Sequence, residues 1–173
     1  GVGYQWAGKH AIRRTLKAYP EVPLMQTENE CGDGNNTWDY AHYICELFQH
    51  YIIHGVRSYV YWNMVLPPRG RSTWGWTQNS MVVVDPETKK VTYTPEFYVM
   101  KHHSHFIEPG ARRLGLTGQW AGNALCFLNP DGGLVLIIAN PFKEQRELSF
   151  AHAEGVITAT LPARSFSTFS IRL

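Results

Sequence analysis

Two hydrophobic periods run along this chain, and they exchange dominance once. Residues 2–6 are short, apolar and aromatic, as in a strand end that sets Tyr4 and Trp6 on one face. Over residues 8–19 the period lengthens to that of a helix. Ala11, Ile12, Thr15, Leu16 and Tyr19 form one face, Lys9, Arg13, Arg14 and Lys17 the other, and Pro20 ends it. Residues 22–28 are an apolar run that breaks into Gly32-Asp33-Gly34-Asn35-Asn36, the pattern of a buried strand emerging into a loop. Thr37 is placed to cap a helix to about His54, and Asp39 complements its positive end. Tyr40, Ile44, Leu47, Phe48 and Tyr51 recur along that helix, and Gly55 stops it. Residues 56–62 predict a further strand, rich in β-branched and aromatic side chains. Residues 63–80 predict a long loop of the kind that carries function. Two short strands, 81–84 and 91–93, flank the turn Asp85-Pro86-Glu87-Thr88, and Thr94-Pro95 opens a third helix ending near Ile107.

After Gly110 the period of two takes over. Residues 124–128 and 134–139 are apolar strands joined by Asn129-Pro130-Asp131-Gly132-Gly133, and residues 147–150, 156–161 and 165–172 are further strands. The first part is therefore βα in pattern, with parallel strands and helices outside, and the second is an antiparallel β-sandwich. The fold class expected is α/β plus all-β: the carboxyl-terminal part of a (β/α)8 barrel over residues 1–110, then a β-sandwich over residues 111–173. Three βα units cannot close a barrel of eight, and an open part-barrel leaves strand edges unpaired. With no initiator Met and no signal peptide at Gly1, an amino-terminal barrel portion is expected outside this chain.

Composition narrows the classes. A formal charge of +2, with no basic block, argues against a nucleic-acid partner. No apolar run approaches the length of a membrane span. Aromatic residues make up 13% of the chain, six of them Trp, which suits a cleft where pyranose faces stack on indoles and equally suits core packing. Cys31, Cys45 and Cys126 are too widely spaced for a disulfide framework or a metal knuckle and read as free thiols.

The candidate chemistry sits where the second strand ends. In a β/α barrel, reacting side chains are placed at the carboxyl ends of strands. Glu28 stands at that point, with Tyr4 and Trp6 at the preceding strand end and Trp62 and Asn63 at the following one. Aromatic, carboxylate and aromatic-plus-amide groups at one rim suit binding a sugar and attacking its anomeric carbon. Glu30 is the rival carboxylate, but the chain is leaving the strand there; Asp33 lines the cleft or caps the loop. The clusters His50/His54 and His102/His103/His105 lack a glutamate spaced for metal ligation, and packed or solvated helix histidines account for them.

The stretches Gly3-Tyr4-Gln5-Trp6-Ala7-Gly8-Lys9, Gln26-Thr27-Glu28-Asn29-Glu30-Cys31-Gly32, Tyr61-Trp62-Asn63, Phe97-Tyr98 and His105-Phe106-Ile107-Glu108-Pro109-Gly110-Ala111 resemble, in order and spacing, glycoside hydrolase family 30. That family includes the glucosylceramidases and related β-glycosidases. The resemblance implies a β/α barrel with a side β-sandwich, entered here at about the sixth barrel strand. It places the nucleophile on Glu28, sugar contacts on Tyr4, Trp6 and Trp62, and a further aromatic on Trp74. It implies no metal and no organic cofactor. The family's general acid/base is the Glu of an Asn-Glu-Pro, and no Asn-Glu-Pro occurs in this chain. The chain alone is therefore expected to be inactive, its acid supplied by a missing portion on the order of 250 residues, judged from barrel size. The expected substrate is a β-glycoside or oligosaccharide. Glucosylceramidase or β-glucosidase activity leads. Endo-β-1,6-glucanase, β-xylosidase and a non-catalytic carbohydrate-binding remnant are the alternatives, and the compartment stays open.

Overall fold

The computed structural model describes residues 1–172, which form two compact units divided between Met100 and Lys101. The first is built on a parallel sheet of three strands: β1 (Val2–Gln5), β2 (Leu24–Glu28) and β3 (Val56–Tyr59), with β2 in the middle. Register runs Val2 to Leu24 to Val56, and a shift after Tyr4 brings Gln5 opposite Glu28. Helix α1 (Ile12–Ala18) links β1 to β2, and helix α2 (Trp38–Ile53) links β2 to β3.

Helix α2 forms where its pattern predicts. The Thr37 hydroxyl accepts from Tyr40 N at 3.2 Å, and Gly55, at φ +85°, supplies the left-handed residue that ends the helix. Its apolar stripe covers one face of the sheet. Tyr51 packs on Tyr4 and Tyr59, and Phe48 on Tyr59 with ring centres 4.6 Å apart. Leu24, Ile44 and Tyr51 are almost wholly buried, each such apolar side chain contributing about 1.5–3 kcal/mol. On the opposite face Met25 and Val60 lie open.

Four local expectations change. The helix predicted over residues 8–19 is a 3-10 turn, Trp6–His10, followed by α1; Gly8 and the left-handed Trp6 (φ 43°) do not sustain an α-helix. Strand β3 stops at Tyr59, where Val60 N turns to the carbonyl and side-chain oxygens of Gln26. The stretch 63–80 is not all loop: β4 (Val65–Leu66) pairs in parallel with β5 (Val82–Val84), which pairs antiparallel with β6 (Val91–Tyr93). Helix α3 (Pro95–Ser104) ends a turn earlier than Ile107.

The second unit contains an antiparallel sheet and a hairpin. The sheet comprises β7 (Arg112–Leu114), β8 (Ala124–Leu128), β9 (Leu134–Asn140) and β12 (Ser165–Ile171), in the order β12-β9-β8-β7. The hairpin pairs β10 (Arg146–His152) with β11 (Gly155–Leu161). Leu134, Leu136 and Ile138 alternate inward from β9 to meet Leu148 and Leu161 of the hairpin. β7 lacks the alternation that marks the other strands, because Arg112 and Arg113 open it. The buried Asn140 amide donates to Glu144 O, Leu161 O and Pro162 O, fixing the corner between strands.

Candidate active site

The two glutamates at the end of β2 meet different fates, and the cause is local. Strand geometry ends at Glu28, whose partly exposed carboxylate accepts a hydrogen bond from Trp6 Nε1 at 2.6 Å. Past Asn29 the chain turns, and Glu30 is drawn to Lys9 in an ion pair. Lys9 Nζ also donates to Tyr43 Oη at 2.8 Å, and Tyr40 Oη donates to Glu30 O at 2.7 Å. Burial opposes the charge on Glu30, but the bonds from Lys9 and neighbouring groups outweigh it and hold the carboxyl below its ordinary range. Burial likewise opposes the charge on Lys9, and Glu30 and Tyr43 outweigh it, keeping the ammonium above its usual value. The salt-bridge role thus falls to Glu30, and Glu28 is the carboxylate with no cation beside it among the described residues, bonded instead to the Trp6 indole.

Lys9 and Trp6 belong to the same 3-10 turn, so the Lys9–Glu30 pair pins the turn that carries the indole on Glu28. Trp6 sits in the left-handed region, a strained conformation for a bulky residue, at a cost on the order of 1–3 kcal/mol. Its bond to Glu28 and its edge contact with Trp76, at 6.4 Å between ring centres, help hold it there.

Asn29 makes the next connection. Its side chain is 1% exposed, its Oδ1 accepts from Trp62 N at 2.7 Å, and its Nδ2 donates to Glu30 O at 2.6 Å. One buried amide therefore joins the end of β2 to Trp62, three residues past the end of β3. The Trp62 ring is exposed, and the Trp62–Asn63 peptide is cis. Asn63 serves the loop: its Nδ2 donates to Gln78 Oε1 and Asn79 O, both at 3.2 Å. Asp33 is a loop cap, accepting from the backbone and side chain of Asn35; the backbone bond leads in holding its carboxyl below the ordinary value.

The loop after Trp62 is clamped by Asn79, which is fully buried. Its Oδ1 accepts from Gly34 N and Asn36 N, and its Nδ2 donates to Glu96 Oε1 at 2.5 Å. Burial pushes the Glu96 carboxyl above its ordinary value, against the hydrogen bonds that it accepts. The loop's tip presents Trp74 and Trp76, stacked at 6.2 Å and both exposed. Trp6, Trp76, Glu30, Cys31, Gly32, Tyr40 and Tyr43 line a cleft of about 490 Å³. A second cavity, about 420 Å³, lies within the other unit between β8–β9 and the β10–β11 hairpin, and its lining is mainly apolar.

Of the residues singled out in the sequence, the structure joins Trp6 to Glu28 directly, links Trp62 to the residue after Glu28, and brings Trp74 to Trp6 through Trp76. Tyr4 is not in that group. It is 5% exposed, packs on Tyr51 beneath α2, and lies on the helix side of the sheet rather than on a face shared with Trp6. The chain leaves the strand at Gln5, so the alternation predicted across Tyr4 and Trp6 ends before Trp6. Sequence reasoning missed Asn29, Lys9 and Trp76. The spacing Glu-Asn-Glu after a strand, with a Lys in the preceding unit, was the available signal. Among the described residues no cluster of three or more His, Cys, Asp or Glu is placed to hold a metal ion, and no helix is long and apolar enough to cross a membrane.

Comparison with known proteins places this geometry. A model of the glycosyl hydrolase family 30 TIM-barrel domain matches residues 4–107, and one of the family's β-sandwich domain matches residues 110–169. The chain belongs to glycosyl hydrolase family 30. It is 26% identical to the lysosomal acid glucosylceramidase of Mus musculus over 192 aligned residues, covering 98% of this chain and 36% of the mouse protein. SrfJ from Salmonella typhimurium has a similar fold, with a TM-score of 0.87 and 21% identity over 100% of this chain and 41% of that one. So has an endo-β1,6-glucanase, with a TM-score of 0.86 and 19% identity over 99% of this chain and 41% of that one. The chain thus spans about a third of the length of the curated relative, 36%.

Proposed function

We propose that this chain is the nucleophile-bearing part of a retaining β-glycosidase, of the glucosylceramidase or β-glucosidase kind, with Glu28 as nucleophile. The observation that carries the reading is the division of labour at the end of β2: Glu30 is taken by Lys9, whereas Glu28, partly exposed, has no cation partner among the described residues and is oriented by Trp6. Glu28 would attack the anomeric carbon, forming a glycosyl ester as the glycosidic C–O bond breaks. A carboxylic acid about 5 Å away would protonate the leaving oxygen, then take a proton from the water that cleaves the ester. None of the other carboxylates described at the site suits that part, since Glu30 is ion-paired, Asp33 is engaged by Asn35 in its loop cap and Glu96 is buried against Asn79. The acid would come from a barrel portion outside this chain, and the chain by itself would not turn over substrate. Residues 1–110 would complete the barrel and residues 111–173 form its side sandwich.

Trp62, exposed beside the strand end, is suited to the sugar's apolar face. Trp6 would orient the nucleophile, and the burial of Tyr4 favours a packing role over sugar contact. Endo-β-1,6-glucanase or β-xylosidase activity on the same scaffold is separated by assay on β-glucosides, β-xylosides and β-1,6-glucan.

The test is covalent. In the full-length protein, 2-deoxy-2-fluoro glucosides or xylosides should label Glu28, located by peptide mass spectrometry. Glu28→Gln should lower kcat by about three orders of magnitude or more, equivalent to about 4 kcal/mol. Labelling of Glu30 instead, or turnover that survives Glu28→Gln, would overturn the assignment.

A further inference from the structure

Glu96 is a carboxylate that folding alone does not call for. It is the second residue of α3 and wholly buried, and burial works against its charge. An apolar side chain of similar size would be buried there without that opposition. Its partner shows what the carboxylate does. Asn79 Nδ2 donates to Glu96 Oε1 at 2.5 Å. A carboxylate only accepts, so it takes the NH2 end of the Asn79 amide and turns the amide oxygen the other way. Asn79 Oδ1 then accepts from Gly34 N at 2.7 Å and from Asn36 N at 3.3 Å. Those two donors belong to a stretch in which Gly32, Gly34 and Asn36 all have left-handed backbone, at φ +68°, +85° and +49°. Such a turn is not held by regular hydrogen bonding of its own, and here its amides are held from outside.

The backbone of Asn79 carries the connection onward to the site. Its N–H donates to Cys31 O at 2.6 Å, just beyond Glu28, and its carbonyl accepts from the side chain of Asn63, the neighbour of Trp62, at 3.2 Å. The chain leaving β2 and the chain leaving β3 are therefore tied to one residue, and the side chain of that residue is set from α3. Ser80 repeats the tie: its N–H donates to Asn36 Oδ1 at 2.9 Å, and its carbonyl accepts from Thr94 Oγ1 at 2.8 Å. Glu96, Asn79 and Ser80 are each 0% exposed within this unit, so the tie does not depend on what completes the barrel. A misplacement of about 1 Å, caused by a change far from the reacting atoms, can slow a reaction about a hundred-fold. A rigid buried tie to both strand ends is therefore placed to matter for rate as well as for folding.

We propose that Glu96 is a positioning residue for the reaction: its carboxylate fixes the Asn79 amide, and Asn79 holds the chain beyond Glu28 and the residue after Trp62 in the reactive arrangement. The inference rests on Glu28 as nucleophile. The experiment reverses the polarity of the pair in the full-length protein. It measures the rate at which a 2-deoxy-2-fluoro glycoside labels Glu28, at a temperature where circular dichroism shows every variant folded. A purely structural role would move the melting temperature and leave this rate alone. Asn79→Asp keeps an acceptor for Gly34 N and Asn36 N but sets a second carboxylate against Glu96, and labelling should slow at least about ten-fold. Adding Glu96→Gln supplies the missing donor from the other side, and the rate should return to within about three-fold of wild type. Glu96→Met removes the acceptor without adding charge, and it should slow labelling at least about five-fold; it gives the reading if Asn79→Asp does not fold. Unchanged labelling in Asn79→Asp or in Glu96→Met would overturn the inference, as would a reversed pair no faster than Asn79→Asp alone, and Glu28 would stand as nucleophile in each case. Absence of label on Glu28 in the wild-type protein would overturn the nucleophile assignment and this inference with it.

Discussion

Asn29→Ala isolates the link between the end of β2 and Trp62. The amide makes two hydrogen bonds while 1% exposed, and they are not equal. Glu30 O keeps a partner when the amide goes, because Tyr40 Oη also donates to it at 2.7 Å, so losing that bond costs about 0.5–1.5 kcal/mol. Trp62 N would lose the acceptor that Asn29 Oδ1 provides, and a part-buried donor left unsatisfied costs up to about 1–3 kcal/mol. The sum is about 2–4 kcal/mol, with little offset because alanine leaves a small void. For a chain of this size each kcal/mol moves the thermal midpoint by roughly 2–4 °C. The expected fall is therefore about 4–16 °C, read by calorimetry on the full-length protein or on the domain that contains this chain. Asn29→Asp provides the contrast. It keeps an acceptor for Trp62 N but sets a carboxylate oxygen against Glu30 O, so kcat/KM should suffer less than in the alanine variant, relative to stability lost. A midpoint shift below about 2 °C for Asn29→Ala would refute the reasoning, since it would mean that Trp62 N finds water or another partner.

Glu30→Gln should remove an acid-limb contribution. The Glu30 carboxyl is held below its unfolded value, so between the two values the unfolded chain binds more protons, and stability rises with pH. Because the pair is part-buried but still in contact with solvent, the loss at neutral pH should be only about 1 kcal/mol, and the urea midpoints of the two proteins should converge below about pH 4. Glu96→Gln has the opposite sign: with the carboxyl raised in the fold, stability falls as pH rises from the unfolded value through the folded one, so Gln should flatten that slope and be neutral or stabilising at pH 7 in denaturant titrations. Gly32→Ala should destabilise by at least about 1–2 kcal/mol, because φ is +68° and the new Cβ would lie 2.5 Å from the buried Asn79 amide; unchanged thermal melting would count against the clamp. Thr37→Ala should cost about 1 kcal/mol through loss of the cap on Tyr40 N, measured by the same melts.

The long-range pattern was legible because burial enforces it. The stripe from Ile44 to Tyr51 and the alternation of Leu134, Leu136 and Ile138 are dictated by the surfaces they cover, and the elements formed where those patterns lay. The end of β2 at Glu28 was legible for the same reason, since an apolar strand that stops abruptly marks its own end. What stayed hidden depended on side-chain bonds between distant positions. Nothing in the order of residues says that Lys9 reaches Glu30, or that the amide of Asn29 bonds the backbone of Trp62, because each pairing depends on the parallel register and on turns that hydrophobic period does not encode. Tyr4 failed by one step of that kind. Alternation is valid only within a strand, and β1 ended one residue before Trp6. β7 escaped because its outward arginines mask the pattern of an edge strand.

The surroundings of Glu28 and Glu30 are set apart by chain direction and then by charge, which is what favours Glu28 in the nucleophile role proposed above. Two carboxylates, one residue apart at the end of a regular strand, would project to the same side and repel each other, and the site would have no defined nucleophile. Ending β2 at Glu28 and turning at Asn29 removes that symmetry. Lys9 then captures Glu30, and the same pair anchors the 3-10 turn on which Trp6 is carried to Glu28. One cation thereby neutralises the rival carboxylate and positions the donor for the remaining one. The coupling has a consequence. A change at Lys9 should disturb Glu28 through Trp6, although Lys9 makes no bond to Glu28, and a cationic replacement such as Lys9→Arg should preserve more activity than a neutral isostere such as Lys9→Met. In full-length protein, a Lys9→Met variant that keeps its thermal midpoint but loses several-fold in kcat would bear out this order of dependence. Equal activity in Lys9→Met and wild type would show that Trp6 holds its place without the pair.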